Sequence, residues 1–264
     1  SVVVVKLSNF GKIRLFAQNK NIFILWEFFM KRAFVYLVFS IFVCVAYFQN
    51  NASESVVDYF LEIALECEYG DGSGVIKKWK MPINIYVMGN FTREDYEVIK
   101  GHVDYLNSIE GIPRVKLVRD MNEANVYVNF ITQWEMSQKV CVDEIVWGFV
   151  RCFWNERYEI TNAEILIVYD RTNQCQRHHV ILEEMTQMLG LLNDSDLHED
   201  SIFYNGYSEN TRLSRIDELV IRILYNSGVK SGMRGDDARP VVSNWLVYGY
   251  KLKNSSGCPF RASS

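Results

Sequence analysis

Proline is scarce in this chain, four in 264 residues, and nothing in the composition marks a disordered region. No internal repeat is visible, which excludes solenoid and propeller architectures. The six cysteines include no Cys-x-x-Cys pair, so zinc ribbons and thioredoxin-like redox motifs are excluded. Gly70-Asp-Gly-Ser-Gly74 lacks the Gly-Lys-Ser/Thr ending and the preceding strand of a phosphate loop. An excess of positive charge is also missing. The formal net charge is −4, and residues 53–264 alone carry about −9. An acidic surface repels the phosphate backbone, so nucleic acid is not expected as a partner.

The first residue is Ser1, and residues 1–29 show no globular pattern; they read as an upstream or non-native segment. Met30, Lys31 and Arg32 precede an apolar run from Ala33 to Phe48, and polar residues follow from Gln49. This is the anatomy of a signal peptide over residues 30–52. A membrane anchor is the alternative, although the run is shorter than the roughly 20 residues a spanning helix needs. The reading places one domain at 53–264, exported to a periplasm or secreted, and touching a membrane only if the leader stays attached. Cys44 raises lipidation, but Val43 before it is not small. Five cysteines follow the leader: Cys67, Cys141, Cys152, Cys175 and Cys258. An oxidising compartment favours one or two disulfides. A bridge from Cys175 to Cys141 or Cys152 would pin the segment that follows. No motif gives any cysteine a histidine partner for catalysis.

Hydrophobic periodicity predicts a helix over 55–69, a strand over Ile83–Val87, a helix over Thr92–Ser108, and strands at Val115–Val118, Ala124–Ile131 and Ile160–Tyr169. Between the last two strands lies an aromatic-rich stretch with Trp134, Trp147, Phe149, Phe153 and Trp154. It reads either as a small second core or as an aromatic wall that grips a peptide or glycan. The acidic run Asn193–Asp200 fails the EF-hand spacing and reads as a solvated loop. Ser214 with Asp217 looks like a capping pair that opens a late helix. The tail beyond Arg234, with Trp245, Tyr248 and Tyr250, reads as extended.

The chain is organised around His179–Asp194. Leu182, Met185, Leu189 and Leu192 form an apolar stripe, while His179, Glu183 and Gln187 share another face. Gly190 is a natural stop, after which the chain can fold back and bring Asn193 near Gln187. This pattern resembles the metal site of metzincin proteases, His-Glu-x-x-His-x-x-Gly-x-x-His, with its ligands changed. The same spacing here reads Glu183, Glu184, Gln187, Gly190, Asn193. The glutamate base and the glycine match, and all three histidine positions differ. Arg212-Leu-Ser-Arg-Ile-Asp217 and Ile223-Leu-Tyr225 resemble the last helix of matrix-type metzincins, with Phe203 about where their turn methionine falls. The Glu-Glu-x-x-Gln run through Met233 also resembles an uncharacterised family of exported bacterial proteins, a domain of unknown function. The resemblance implies an α+β, zincin-like fold: a twisted mixed sheet, an active-site-type helix, a C-terminal helix, and a last strand that lines the substrate cleft as the sheet's edge.

Glu183, Gln187 and Asn193 offer one carboxylate and two amides, which are poor ligands for zinc. His179, Glu183 and His198 are the alternative ligand set, for zinc or another divalent ion. Glu184 is the residue expected to act as a base, unless Arg177 or the Gln187 amide holds it as a structural carboxylate. The sequence therefore supports a zinc-free, monomeric pseudo-protease that binds a peptide, partner protein or cell-envelope component. The competing reading is a metal-dependent, peptidase-like hydrolase with altered ligands, and an exported structural domain without a ligand is a third.

Overall fold

The computed structural model describes residues 5–6, 14–15, 34–40, 55–68, 73–140 and 145–249. The chain divides into two compact units, Ser1–Ala52 and Ser53–Ser264. In the first, Val5–Lys6 (β1) and Arg14–Leu15 (β2) pair antiparallel, and residues 34–40 are helical. The rest of the expected leader lies outside the described residues, as do Cys44, Cys141, Cys258 and the loop at 70–72. Among the described residues no helix is long and apolar enough to cross a membrane.

The second unit is built on a mixed sheet of Lys78–Trp79 (β3), Ile83–Gly89 (β4), Val115–Leu117 (β5), Val126–Ile131 (β6), Gly148–Trp154 (β7) and Glu159–Val168 (β8). The main order is β5-β4-β6-β8-β7, with β3 beside the start of β8. All pairings are parallel except β7 with β8. β4 alternates as half-buried strands do, with Ile83 and Ile85 inward and Asn84 and Tyr86 partly exposed. β8 lies inside the sheet, so Ile165, Leu166, Ile167 and Val168 are all buried, on alternate faces. Ile165 and Ile167 join the main core, while Leu166 and Val168 join a smaller one with Met136, Val140 and Phe149.

The expected edge strand is thereby corrected. Ile160–Tyr169 corresponds to β8, which is paired on both sides. The edge is β7, cut from the aromatic stretch that carried no strand assignment. Its wide register breaks only at Phe153/Trp154. The aromatics themselves divide. Phe149 enters the small core, Trp147 packs on the main one, and Trp134, Phe153 and Trp154 are exposed.

Among the described residues five helices accompany the sheet, beside a helical stretch at residues 55–65: Arg93–Ser108 (α1), Gln133–Lys139 (α2), Gln174–Gln187 (α3), Arg215–Asn226 (α4) and Gly235–Asn244 (α5). Capping boxes open the first four: Thr92 with Asp95, Thr132 with Glu135, Asn173 with Gln176, and the expected Ser214 with Asp217. The described part of the tail does not run extended: it forms α5 with Pro240 inside, followed by a π-helical turn at Trp245–Gly249, and Tyr250 lies outside the described residues. Buried α3 side chains Leu182 and Met185, with Leu189 and Leu192 beyond it, form the expected stripe; burying each such side chain is worth about 1.5–3 kcal/mol.

Short β3 fixes two helix ends. The Trp79 indole N–H donates to Met188 O at 2.8 Å, and the Tyr225 hydroxyl donates to Leu189 O at 2.8 Å. Lys78 Nζ donates to Leu224 O and Val229 O at 2.8 and 2.7 Å, which satisfies carbonyls at the end of α4. Burial pulls the Lys78 ammonium down to about 8.

Candidate functional site

α3 ends as the sequence predicts. Gly190 sits at φ +113°, and a Cβ there would lie 2.0 Å from Lys77 O, so only glycine lets the chain turn against β3. The helix presents His179, Glu183 and Gln187 at successive turns, with Glu184 alongside.

His179 is buried, and its Nδ1–H donates to Asn210 O at 2.9 Å. That bond assigns the tautomer and leaves the Nε2 lone pair turned to Glu183 Oε2 at 3.6 Å, too long for a direct hydrogen bond. Burial holds the imidazole below its ordinary value, so it is neutral at neutral pH; the Asn210 carbonyl opposes this. Gln187 Nε2 donates to Asp194 Oδ1 at 2.8 Å. Asn193 does not fold back onto Gln187. Its Nδ2 donates to Asp194 O at 2.8 Å and its N–H to Ile63 O at 3.2 Å. Asp194 therefore occupies the place by Gln187 where Asn193 was expected. The acidic run is accordingly not solvated throughout: Asp196, Glu199 and Asp200 are exposed, and Asp194 turns inward.

His198 stands apart from His179 and meets Tyr59 edge-on at 4.7 Å between ring centres. Tyr59 in turn shares a hydrogen bond with Ser201 at 2.7 Å. Phe203 is fully buried below this loop, and its carbonyl accepts from the Ser195 N–H at 2.8 Å.

Glu184 is 4 % exposed, and its Oε2 has no hydrogen-bond partner. Neither suggested partner holds it: Arg177 pairs with Asp95 at 3.1 Å, and Gln187 with Asp194. Its other oxygen faces Gly148 of β7, where a Cβ would lie 2.2 Å away. Glycine at 148 thus lets the edge strand close over the carboxyl. Nearby Lys77 is 1 % exposed with an unpartnered Nζ, which lies 5.2 Å from the Trp154 ring centre. Burial lowers the basicity of this ammonium.

The carboxyls are electrostatically linked: Glu184 is buried, Glu183 and Asp194 are partly buried, and Glu68 is exposed. Burial pushes Glu183 and Glu184 well above the usual carboxylate range. The Asp194 and Glu68 charges add to the effect on Glu183, and those of Glu183, Glu68 and Asp194 to that on Glu184. Asp194 is pushed up to about 7 by burial and by Glu68, against the Gln187 hydrogen bond. Neighbouring carboxyls in a dry site do not all ionise together. Glu68, Lys77, Gly148 and Asp194 were not singled out in the sequence. Asp194 was discernible as an acid one step from the expected turn position, whereas the others lie far away in sequence.

Zinc is held by converging imidazole, thiolate or carboxylate donors. Here the Gln187 amide nitrogen is engaged with Asp194, and the Asn193 amide nitrogen with its own chain. Among the described residues no three His, Cys, Asp or Glu side chains are grouped to hold a metal ion. The residues present do not fit zinc. What they can do is hold protons on a row of carboxyls beside β7. Of the two alternative bridges expected from Cys175, the one to Cys152 is absent, and Cys141 lies outside the described residues. Cys152 is buried on β7 with its Sγ 3.6 Å from Met188 O, Cys175 is exposed on the first turn of α3, and both are free, as is Cys67.

Three solved structures illustrate what this chain is similar to. Two of myroilysin align at TM-scores of 0.38 and 0.40, with 13 % and 15 % identity, covering 58 % and 63 % of this chain and 97 % and 93 % of theirs. High choriolytic enzyme 1, a hatching enzyme zinc-protease from the medaka fish Oryzias latipes, aligns at 0.32 with 12 % identity, covering 61 % of this chain and 94 % of its own. Likeness this distant says nothing of ligand or chemistry. No curated protein sequence matches. Residues 53–244 match the protein-family model described as "Protein of unknown function (DUF2927)", and the chain belongs to that family.

Proposed function

We propose that this protein is an exported, zinc-free pseudo-protease: a zincin-like scaffold that binds an extended segment of a partner protein without cutting it. The observation that carries this reading is β7. Among the described residues it pairs as a strand with β8 alone, so its other edge offers backbone beside α3, above all at residues 150–154. An extended peptide adds to such an edge by main-chain hydrogen bonds, while side-chain contacts set specificity. The exposed Phe153 and Trp154 supply apolar contact at one end of the strand. Beneath it, the carboxyl row lacks the ligands that would activate a water.

Amide exchange in the presence of a panel of extended, envelope-derived peptides tests this. The expected result is protection of residues 148–154 by a peptide that mass spectrometry recovers intact. Protection that spares β7, or cleavage of the peptide, contradicts it.

One observation favours the second reading, a hydrolase. Glu184 keeps an unpartnered, protonatable oxygen, as a general base or acid requires. If a bound peptide is cut, Glu184→Gln must abolish turnover; unchanged turnover removes Glu184 from the chemistry.

A further inference from the structure

Away from β7, a groove of about 620 Å³ opens between α1, α3 and residues 211–213. Its walls are braced at both ends. Near one end Asp95 accepts from Arg177 Nε at 3.1 Å and from Gln174 Nε2 at 2.6 Å. Toward the other the Thr186 hydroxyl, which donates to Leu182 O, meets His102 Nε2 at 3.2 Å. Tyr105 continues the bracing to α4 through Glu218 at 3.2 Å. The groove is therefore preformed, and its volume is in the range of small-molecule sites.

Between the braces, α1 carries Gly101. A glycine inside a helix costs about 0.5–1 kcal/mol relative to alanine. Here a Cβ would meet nothing within 4 Å, so neither crowding nor a positive φ requires it. Its effect is to leave the groove open. Val98, Leu182 and Leu213 give apolar wall. Glu94 and Glu97, one turn apart on α1, line the same face as Gly101, and Arg212 lines the groove from the 211–213 segment. Both imidazoles of the groove are neutral at neutral pH: burial pulls His102 down to about 3 and lowers His178. The remaining charge-bearing side chains of the groove are Glu94, Glu97 and Arg212, none of which forms an ion pair among the described residues.

We infer that this groove is a binding site for a zwitterion with an apolar body, namely a short apolar peptide with free termini. Its ammonium lies at Glu94 and Glu97, its carboxylate at Arg212, and its side chains lie over Gly101 against Val98 and Leu182. Charge complementarity supports this occupant: the exposed Glu94 and Glu97 match an ammonium at one end, and the exposed Arg212 matches a carboxylate. The site is separate from β7 and does not depend on the pseudo-protease reading.

Calorimetric titration of the full chain with L-leucyl-L-leucine tests it. The expected result is binding that weakens at least tenfold when the peptide is N-acetylated or C-amidated. Gly101→Leu fills the groove and should abolish binding. Leucine is the better helix former, so this variant should unfold at the same temperature or higher, which separates a blocked site from a misfolded one. No binding at millimolar peptide overturns the inference. So does equal binding by the blocked peptides or by the folded Gly101→Leu protein.

Discussion

At the scale of residues, the site is governed by where protons sit. Glu184 is enclosed, lacks a partner at Oε2 and neighbours three other acids. A carboxyl whose folded pKa is raised contributes stability that is full below its unfolded value, near 4.5, and is lost as pH rises toward the folded value. Every tenfold gain in proton affinity on folding corresponds to about 1.4 kcal/mol. Glu184→Gln removes the titration and keeps the shape. The variant should therefore match the wild type in melting temperature near pH 4 and exceed it at pH 8. Comparing variant with wild type cancels the opposite contribution of Asp95. Burial opposes ionisation there, but hydrogen bonds from Thr92 and Gln174 and the Arg177 charge outweigh it and hold the carboxyl below its ordinary value. A melting-temperature difference that stays constant from pH 4 to pH 8 contradicts this account of Glu184.

At the scale of elements, the turn after α3 sets the register of the site. Gly190 brings the chain back so that Asp194, not Asn193, meets Gln187. Histidines placed at 183, 187 and 194 should then create a zinc site, whereas histidines at 183, 187 and 193 should not. Zinc titration of the two folded triple variants, Glu183→His/Gln187→His/Asp194→His and Glu183→His/Gln187→His/Asn193→His, reads the difference. Tighter zinc binding by the second contradicts the register. The spacing of His179, Glu183, Gln187 and Gly190 made α3 and its stop legible, because helix periodicity and glycine chemistry are local. What followed the stop was not, because a one-residue choice of inward side chain depends on Ile63 and Gln187, which only the folded chain brings together. β7 was hidden for a similar reason: Trp147 through Trp154 is rich in aromatics and does not alternate cleanly. α5 was hidden by Pro240, which a helix interior seldom holds. Glu68 and Lys77 reach the site through tertiary packing alone, and no spacing signals that.

At the scale of the whole molecule, the chain pairs a mixed sheet and its helices with a site whose spacing resembles a zinc site but whose donors, among the described residues, are not grouped to hold a metal ion. The capping boxes, the Gly190 turn and the bonds from Trp79 and Tyr225 to the end of α3 keep the scaffold, while Gly148 closes β7 over Glu184. On the proposed reading, these bonds hold the scaffold without a metal, and β7 offers the route to binding. The most direct test of that central claim is elemental analysis of the purified full chain after dialysis against zinc. The account predicts a folded protein with no stoichiometric zinc. One zinc per chain, lost in Glu183→Ala or His179→Ala, would contradict it and make the protein a metalloenzyme with an altered ligand set.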